Sequence, residues 1–111
     1  NSFRVSRLVP AVEYVNANRM RYHLQQKVHE ALSKVDVLIC PTRGSGSQSA
    51  ITNLTGQPVV CTPTGFDKRS GLPTSISFIG NLYQEASILL AAKYYQQATE
   101  WETIHPPAFL K

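Results

Sequence analysis

Hydrophobic positions follow a helical period in the first third of the chain. Apolar residues recur mostly every three or four positions, the spacing of one face of an amphipathic helix; they are Val12, Val15, Met20, Leu24, Val28, Ala31, Leu32 and Val35. Pro10 suits the first turn, where a missing N–H costs nothing. The pattern predicts one long helix from Pro10 to about Ser33, with one buried stripe.

Three strands are predicted downstream. Residues 35–40 are nearly continuously apolar before Pro41, as in a strand that is buried on both faces. Residues 58–62 form a second apolar run, and residues 74–79 alternate polar with apolar, which predicts a strand with one drier face. Turn-forming residues lie between these two runs, so we expect them to form a β-hairpin.

Two further segments complete the predicted organisation. Residues 43–50 are rich in Gly and Ser without any period, which is typical of a flexible linker that divides the chain into two parts. Residues 84–99 return to a helical period, with Glu85 in the first turn, and Pro106-Pro107 is expected to end the ordered part. The prediction is an α/β fold: long helix, strand, linker, β-hairpin, helix.

Length and composition fit one small domain. The chain has 111 residues, of which 42% are hydrophobic and 16% charged. No apolar run approaches the roughly 18 residues that span a bilayer, and no signal peptide is evident, so no membrane partner is expected. Because the chain starts with Asn rather than Met, we expect a trimmed or processed product of a longer protein. Localisation stays open, with the cytoplasm favoured.

The net charge of +4 arises in the first 35 residues. A basic helix can mark a nucleic-acid surface, but these charges are dispersed without interleaved aromatic residues, which favours a solvated face. Cys40 and Cys61 are too few for a disulfide framework, and each lies in an apolar, β-prone run. Both are expected to be buried, inert thiols.

Several candidate motifs have simpler explanations. Residues 44–47 lack the lysine of a phosphate-binding loop and the glycine spacing of a nucleophile elbow. The three histidines have no metal-ligand spacing and are expected to face solvent, although a Ser-His-acid triad stays open; they are His23, His29 and His105. The aromatic residues Tyr83, Tyr94, Tyr95 and Trp101 are expected in the core rather than in a ligand groove. Asn53-Leu54-Thr55 fits a glycosylation pattern, but a plain turn is favoured.

Several segments, in their order and spacing, resemble the carboxy-terminal end of amidase signature enzymes. They are residues 9–14 (VPAVEY), 17–19 (ANR), 36–42 (DVLICPT), 53–58 (NLTGQP), 65–66 (GF), 71–73 (GLP), 78–80 (FIG), 85–86 (EA), 97–101 (QATEW) and 105–107 (HPP). This family includes fatty acid amide hydrolases, bacterial amidases and the A subunits of tRNA-dependent amidotransferases.

The resemblance implies an α/β/α sandwich, of which residues 1–111 would form one flank as a single partial domain. It also implies carboxamide hydrolysis by a serine nucleophile, a second serine in a cis peptide and a lysine base, without metal or cofactor. Those three residues lie upstream of the matched region in the family, so no catalytic residue is assigned to this chain, and Ser45, Ser47 and Ser49 do not match their motif.

The resemblance further implies a departure at the linker and a candidate site. Family members carry a longer excursion at about residues 43–50, which often walls the substrate pocket, so the Gly-Ser linker is either engineered or a natural shortening. The segment before the Gly-Gln-Pro turn approaches the pocket in the family. Thr52, Asn53 and Thr55 are therefore the candidate substrate-binding residues.

The leading hypothesis is a structural portion of an amidase, inactive alone, whose partner is the missing N-terminal catalytic half. Its uncovered sheet edge and apolar face would favour self-association. A free-standing protein interaction module on the same scaffold is the alternative, and a nucleic-acid binder that uses the first helix is less favoured.

Overall fold

The computed structural model describes residues 2–44 and 46–105. Ser45 of the predicted linker and Pro106-Pro107 lie outside the described residues. The helices are α1 (Ser2–Ser6), α2 (Ala11–Leu32), α3 (Gln48–Thr55) and α4 (Glu85–Gln97), and the strands are β1 (Val37–Pro41), β2 (Val59–Phe66) and β3 (Pro73–Gly80). A 3-10 turn follows at Trp101–Thr103. Within the described ranges, no helix combines the length and apolar content needed to cross a bilayer.

The three strands form one antiparallel sheet in the order β1-β3-β2. The predicted hairpin is confirmed: β2 and β3 pair from Val59 opposite Ile79 to Phe66 opposite Pro73, with a register shift between Pro63 and Gly65. β1 joins the other side of β3, with Val37 opposite Gly80. The chain is therefore mixed α/β, with β3 as the central strand.

One face of the sheet packs against α4, and we call it the α4 face. Its buried core consists of Phe78 from β3 with Ile88 and Ala92 from α4, and the Tyr95 ring lies 5.9 Å from that of Phe78. Gly80 allows this close packing, because a Cβ there would lie 2.8 Å from the Ile88 side chain. The second predicted helix is thus confirmed, but it packs on the sheet through Ile88 and Ala92, whereas Leu89, Leu90 and Tyr94, which carry its helical period, are exposed.

The long first helix is also confirmed, but its predicted buried stripe is wrong. Leu32 is the buried residue of α2, whereas Val12 and Met20 are 61% and 72% exposed. The apolar period is present, but α2 packs mainly on α3, and residues 11–23 are all exposed. At its far end, the Asn81 side chain donates to the carbonyl oxygens of Leu32 and Val35 at 3.3 Å each, which ties α2 to the end of β3.

Burial of β1 on both faces is also wrong for this chain. Leu38 and Ile39 are 43% and 56% exposed, because β1 is an edge strand and the helices cover it incompletely. Cys61 is exposed and Cys40 is half-buried, so the expectation of two buried thiols fails as well.

The aromatic residues were expected in the core, and most are not there. Tyr95 packs on Phe78, but Tyr83 and Tyr94 are exposed, and Trp101 lies on the surface over Gly65. The carbon atoms of the Trp101 ring would lie 3.3 to 3.5 Å from a Cβ at residue 65. Trp101 therefore covers the bulged end of β2 instead of entering the core.

The segment before β2 is helical where a turn was expected. α3 begins at Gln48, so the last three residues of the predicted linker are its first turn, and Asn53-Leu54-Thr55 is its last. Gly56 ends the helix in the left-handed conformation, at φ 86°, and its N–H donates to the Thr52 carbonyl at 2.7 Å. The mostly polar sequence of α3 does not predict a helix, and packing on α2 stabilises it.

The whole chain is open in shape. It exposes 8914 Å² for a mass of 12.3 kDa, whereas a folded monomer of that mass exposes about 6,100 Å². Its radius of gyration is 17.7 Å, against about 13 Å for a compact domain of this length. Much of the surface that a single domain would bury is therefore uncovered.

Candidate functional site

A polar cleft of about 340 Å³ lies between α3 and the sheet face opposite α4, which we call the α3 face. The cleft combines residues from the end of β1, from α3 and its following turn, and from β2 and β3. They are Thr42, Gln48, Ser49, Thr52, Asn53, Gln57, Val59, Cys61 and Ser77. Distant parts of the chain thus converge on one surface, and seven of its nine lining side chains carry a hydroxyl or amide group.

The predicted binding residues divide into two groups. Thr52 and Asn53 line the cleft. Thr55 does not line it: its side chain is buried, and its hydroxyl lies 2.7 Å from the Ile51 carbonyl oxygen and contacts the side-chain oxygen of Gln57. Gln57 itself lines the cleft, so Thr55 reaches the cleft only through that contact.

The floor of the cleft is a row of small polar side chains that runs from Thr42, directly after β1, across Ser77 of β3 to Cys61 of β2. Ser77 of β3 is opposite Cys40 on one side and Cys61 on the other. The Ser77 hydroxyl is fully buried, 2.9 Å from the Thr42 hydroxyl and 3.4 Å from the Cys61 sulfur. Since Ser77 is engaged on both sides, it sets the floor of the cleft instead of offering a free reactive group.

The wall that α3 provides is better placed to bind a ligand. The side chains of Gln48, Ser49 and Asn53 make no hydrogen bond to any residue that the structure describes, so their polar groups are available. The Thr52 hydroxyl lies 3.2 Å from the carbonyl oxygens of Gln48 and Ser49, which engages its hydrogen and leaves its lone pairs as acceptors.

The lining determines what the cleft can do chemically. Among its described lining residues there is no Lys, His, Asp or Glu, so no general base lies beside its hydroxyls. A hydroxyl needs such a base, or a shifted pKa, to become a nucleophile. The cleft can therefore hold a neutral polar group, such as an amide, but it contains no partner that would activate Ser49 or Thr52.

Comparison with known proteins gives the family of the chain. No family model matches it. It is 33% identical to the A subunit of glutamyl-tRNA(Gln) amidotransferase from Cyanothece sp. (strain PCC 7425 / ATCC 29141) and 34% identical to the protein of the same name from Picosynechococcus sp. (strain ATCC 27264 / PCC 7002 / PR-6), in each case over 84% of this chain and 23% of the relative. The chain belongs to the amidase signature family. The resemblance drawn from its motifs is confirmed.

The amidase signature relatives are much longer than this chain. The chain spans about a quarter of their length. An alignment of 111 positions that covers 84% of a 111-residue chain takes in about 93 of its residues, so the remaining 18 or so positions belong to the relative alone. The relatives thus carry extra residues within the matched span.

The histidines of this amidase signature chain lie apart from the cleft. His23, His29 and His105 are exposed, as expected. Within the part of the chain that the structure describes, no cluster of His, Cys, Asp or Glu has the arrangement of a metal site.

Sequence reasoning missed most of the cleft lining. Gln57 was not predicted as a lining residue because it directly follows the turn glycine, Gly56, and reaches the cleft through its long side chain. Cys61 and Ser77 were missed because of the register shift between Pro63 and Gly65: counting back from Phe66 opposite Pro73 would pair Cys61 with Phe78, and only the shift puts it opposite Ser77. Ser49 was excluded only as a nucleophile, and the structure places it in the wall.

Proposed function

We propose that the chain is the C-terminal structural portion of an amidase signature hydrolase. The parent protein hydrolyses carboxamides: water replaces the amide nitrogen at the carbonyl carbon, which releases an acid and ammonia. In this proposal the chain contributes strands to the parent's sheet and a wall to its substrate pocket, and it has no catalysis by itself.

The uncovered surface is the observation that carries this proposal. The chain exposes 8914 Å², about 2,800 Å² more than a compact monomer of its mass. That excess is larger than one partner's share of a standard interface, about 800 Å², and falls in the range of permanent assemblies. The rest of the parent, about three quarters of its length by comparison with the relatives, is the cover we propose.

The exposed apolar residues indicate where the cover lies. The largest group on one element lies on α2 and includes Val12 and Val15, and the edge strand β1 adds Leu38; others lie on α1, α3 and α4. An unpaired edge strand and an apolar helix stripe are surfaces that proteins normally cover. We propose that the N-terminal catalytic half of the parent packs on both, and that without it these surfaces pair with a second copy of the chain.

The cleft supports a binding role without a catalytic one. Its free amide and hydroxyl groups suit a neutral carboxamide, and no base is present beside its described hydroxyls. In the family pattern, the serines and the lysine lie upstream of the matched region. The proposal therefore gives Thr52 and Asn53 the role of pocket wall, with Thr55 supporting Gln57.

The short loop between β1 and α3 is where we place the extra residues of the relatives. It leads from Thr42, at one end of the cleft, to Gln48, at the other. About 18 additional residues at this point would extend over the cleft and enclose a substrate more fully. The parent of this chain would then have a more open pocket than its relatives.

The test begins with the coding sequence upstream of Asn1. We expect an in-frame lysine and glycine- and serine-rich core motif. The longer polypeptide should release ammonia from acetamide, benzamide or glutamine, whereas the 111-residue chain should release none. Turnover by the chain alone that disappears when Ser45, Ser47 and Ser49 are all replaced by alanine would overturn the proposal. An upstream sequence without the motif would favour an interaction module instead.

A further inference from the structure

The short helix α3 is held in place from outside the sheet. The Arg21 side chain, in the middle of α2, donates a hydrogen bond from Nε to the carbonyl oxygen of Leu54. Leu54 is in the last turn of α3, where carbonyl groups have no partner within the helix. The guanidinium also places a positive charge at the negative end of the helix dipole. One side chain thus joins two elements that are 33 residues apart in sequence.

α3 depends on this support. It has eight residues, fewer than the roughly 12 to 15 that an isolated helix needs in water. Among the described elements, α2 is the one that packs extensively on α3, because the cleft separates α3 from the strands. The position of α3 over the sheet is therefore set from the α2 side, where Arg21 makes the specific bond.

We propose that Arg21 is a positioning residue of the substrate pocket. By holding the Leu54 carbonyl, it sets the place of Thr52 and Asn53 in the cleft wall. These residues precede Leu54 by two and one positions in the same helical turn, so a shift of that turn moves both side chains. This inference rests on the proposed function, since it assigns Arg21 a part in binding the amide substrate.

Arg21 also connects the exposed apolar stripe of α2 to the pocket. Arg21 lies on α2, and so does the exposed apolar stripe that the rest of the parent is proposed to cover. A rigid helix that is fixed by docking would hold the guanidinium in place, and the guanidinium would hold α3. The pocket wall would thus take its final position only when the two halves are assembled.

The experiment uses the longer polypeptide with Arg21→Met and Arg21→Lys. Methionine fills similar space without the donor, and lysine keeps a positive donor without the guanidinium fork. We expect Arg21→Met to raise KM for the carboxamide about fivefold, the effect of one hydrogen bond, with a smaller change in kcat. Arg21→Lys should recover part of this loss.

Arg19→Met is the matched control. Arg19 is exposed, lies two positions earlier on α2 and makes no hydrogen bond with the described residues. Its replacement should leave KM unchanged. Because Arg21 acts through the wall, combining Arg21→Met with Asn53→Ala should raise KM no further than Asn53→Ala alone. Independent, multiplicative effects would overturn the inference.

A second measurement does not require activity. Cys61 lies in the cleft beside α3, so its rate of labelling by a maleimide, followed by peptide mass spectrometry, reports how well α3 covers it. We expect faster labelling in Arg21→Met than in Arg19→Met. Equal labelling rates, or an unchanged KM in an active enzyme, would show that Arg21 does not position the wall. A longer polypeptide without any amidase activity would instead contradict the proposed function, and the labelling would still decide the place of α3.

Discussion

At the tip of the β2–β3 hairpin, Asp67 organises its own turn. The backbone N–H and the hydroxyl of Ser70 donate to its carboxylate at 2.7 and 2.8 Å, and the Arg69 N–H donates at 3.1 Å. These bonds hold the pKa of Asp67 below its ordinary value, with the backbone bond from Ser70 as the largest cause. Since the folded turn favours the charged form, the pKa is lower in the folded chain than in the unfolded one.

The pH dependence of the hairpin follows from that difference. The stabilisation by Asp67 is fully present above the unfolded pKa of about 3.9 and is lost as the pH falls through the lower folded value. We expect Asp67→Asn to remove this part of the acid dependence of the free energy of unfolding, measured by urea titration from pH 7 to pH 2. Ser70→Ala, which keeps the backbone donor, should remove less. An unchanged acid dependence in Asp67→Asn would contradict the assignment.

At the same scale, the candidate site was predictable only in part. Thr52 and Asn53 were chosen because the resemblance places their segment near the pocket, and the structure puts both in the cleft; their role in binding stays a prediction. Thr55 lies in the same segment, but its position in the helix turns it inward, where it contacts Gln57. The side of α3 on which a polar residue lies depends on the start of the helix and on the element that packs against it. The residue type alone therefore does not show which residue faces the cleft.

Among the elements, α3 is the one whose end depends on a single glycine. Gly56 has φ 86°, a conformation in which a Cβ is strained. The space around it is open, since the nearest atom to a Cβ there would be Leu82 Cδ2 at 3.7 Å. We therefore expect Gly56→Ala to destabilise the chain by about 1 kcal/mol through the backbone alone.

The matched variant for this prediction is Gly56→Asn. Asparagine tolerates the left-handed conformation better than other residues with a side chain, so its cost should be smaller. Chemical denaturation of both variants, with helix content followed by circular dichroism, checks the order. An alanine variant as stable as the asparagine variant would mean that Gly56 is not needed as a left-handed cap.

The elements differ in how far the sequence predicted them. α2, α4 and the β2–β3 hairpin were predicted because their signals are local: a helical period over many residues, and turn chemistry between two strand patterns. α3 was missed because its short polar sequence has no such period and its stability comes from contact with α2. The burial of β1 was overestimated. An apolar run shows which side chains favour burial, but it does not show whether another element packs on them.

At the scale of the whole molecule, the uncovered stripe of α2 should govern how the isolated chain behaves in solution. Val12 and Met20 are exposed on that helix. We expect self-association that rises with concentration in sedimentation velocity, and a larger monomer fraction in the double variant V12K/M20K, because lysine removes apolar surface. The thermal midpoint of the monomer should change little, since neither side chain is buried.

Glu13→Lys is the control for charge. It changes the net charge by the same +2 on the same exposed helix and leaves the apolar stripe intact. If Glu13→Lys raises the monomer fraction as much as V12K/M20K does, then charge repulsion rather than lost apolar contact is the cause. A wild-type chain that stays monomeric at every concentration would show that the stripe does not associate with a second copy.

The order of strands in the sheet also has a consequence for synthesis on the ribosome. Among the strands that the structure describes, β1 pairs only with β3, and its residues lie 35 to 43 positions before their partners, from Pro41 opposite Ile76 to Val37 opposite Gly80. At translation rates of about 5 to 20 residues per second, β1 waits roughly 2 to 8 s after leaving the ribosome before β3 is complete. The hairpin partner of β3 needs no such wait. Slowing translation within this interval should therefore increase misassembly of the nascent chain, because an unpaired apolar strand remains available to other chains for longer.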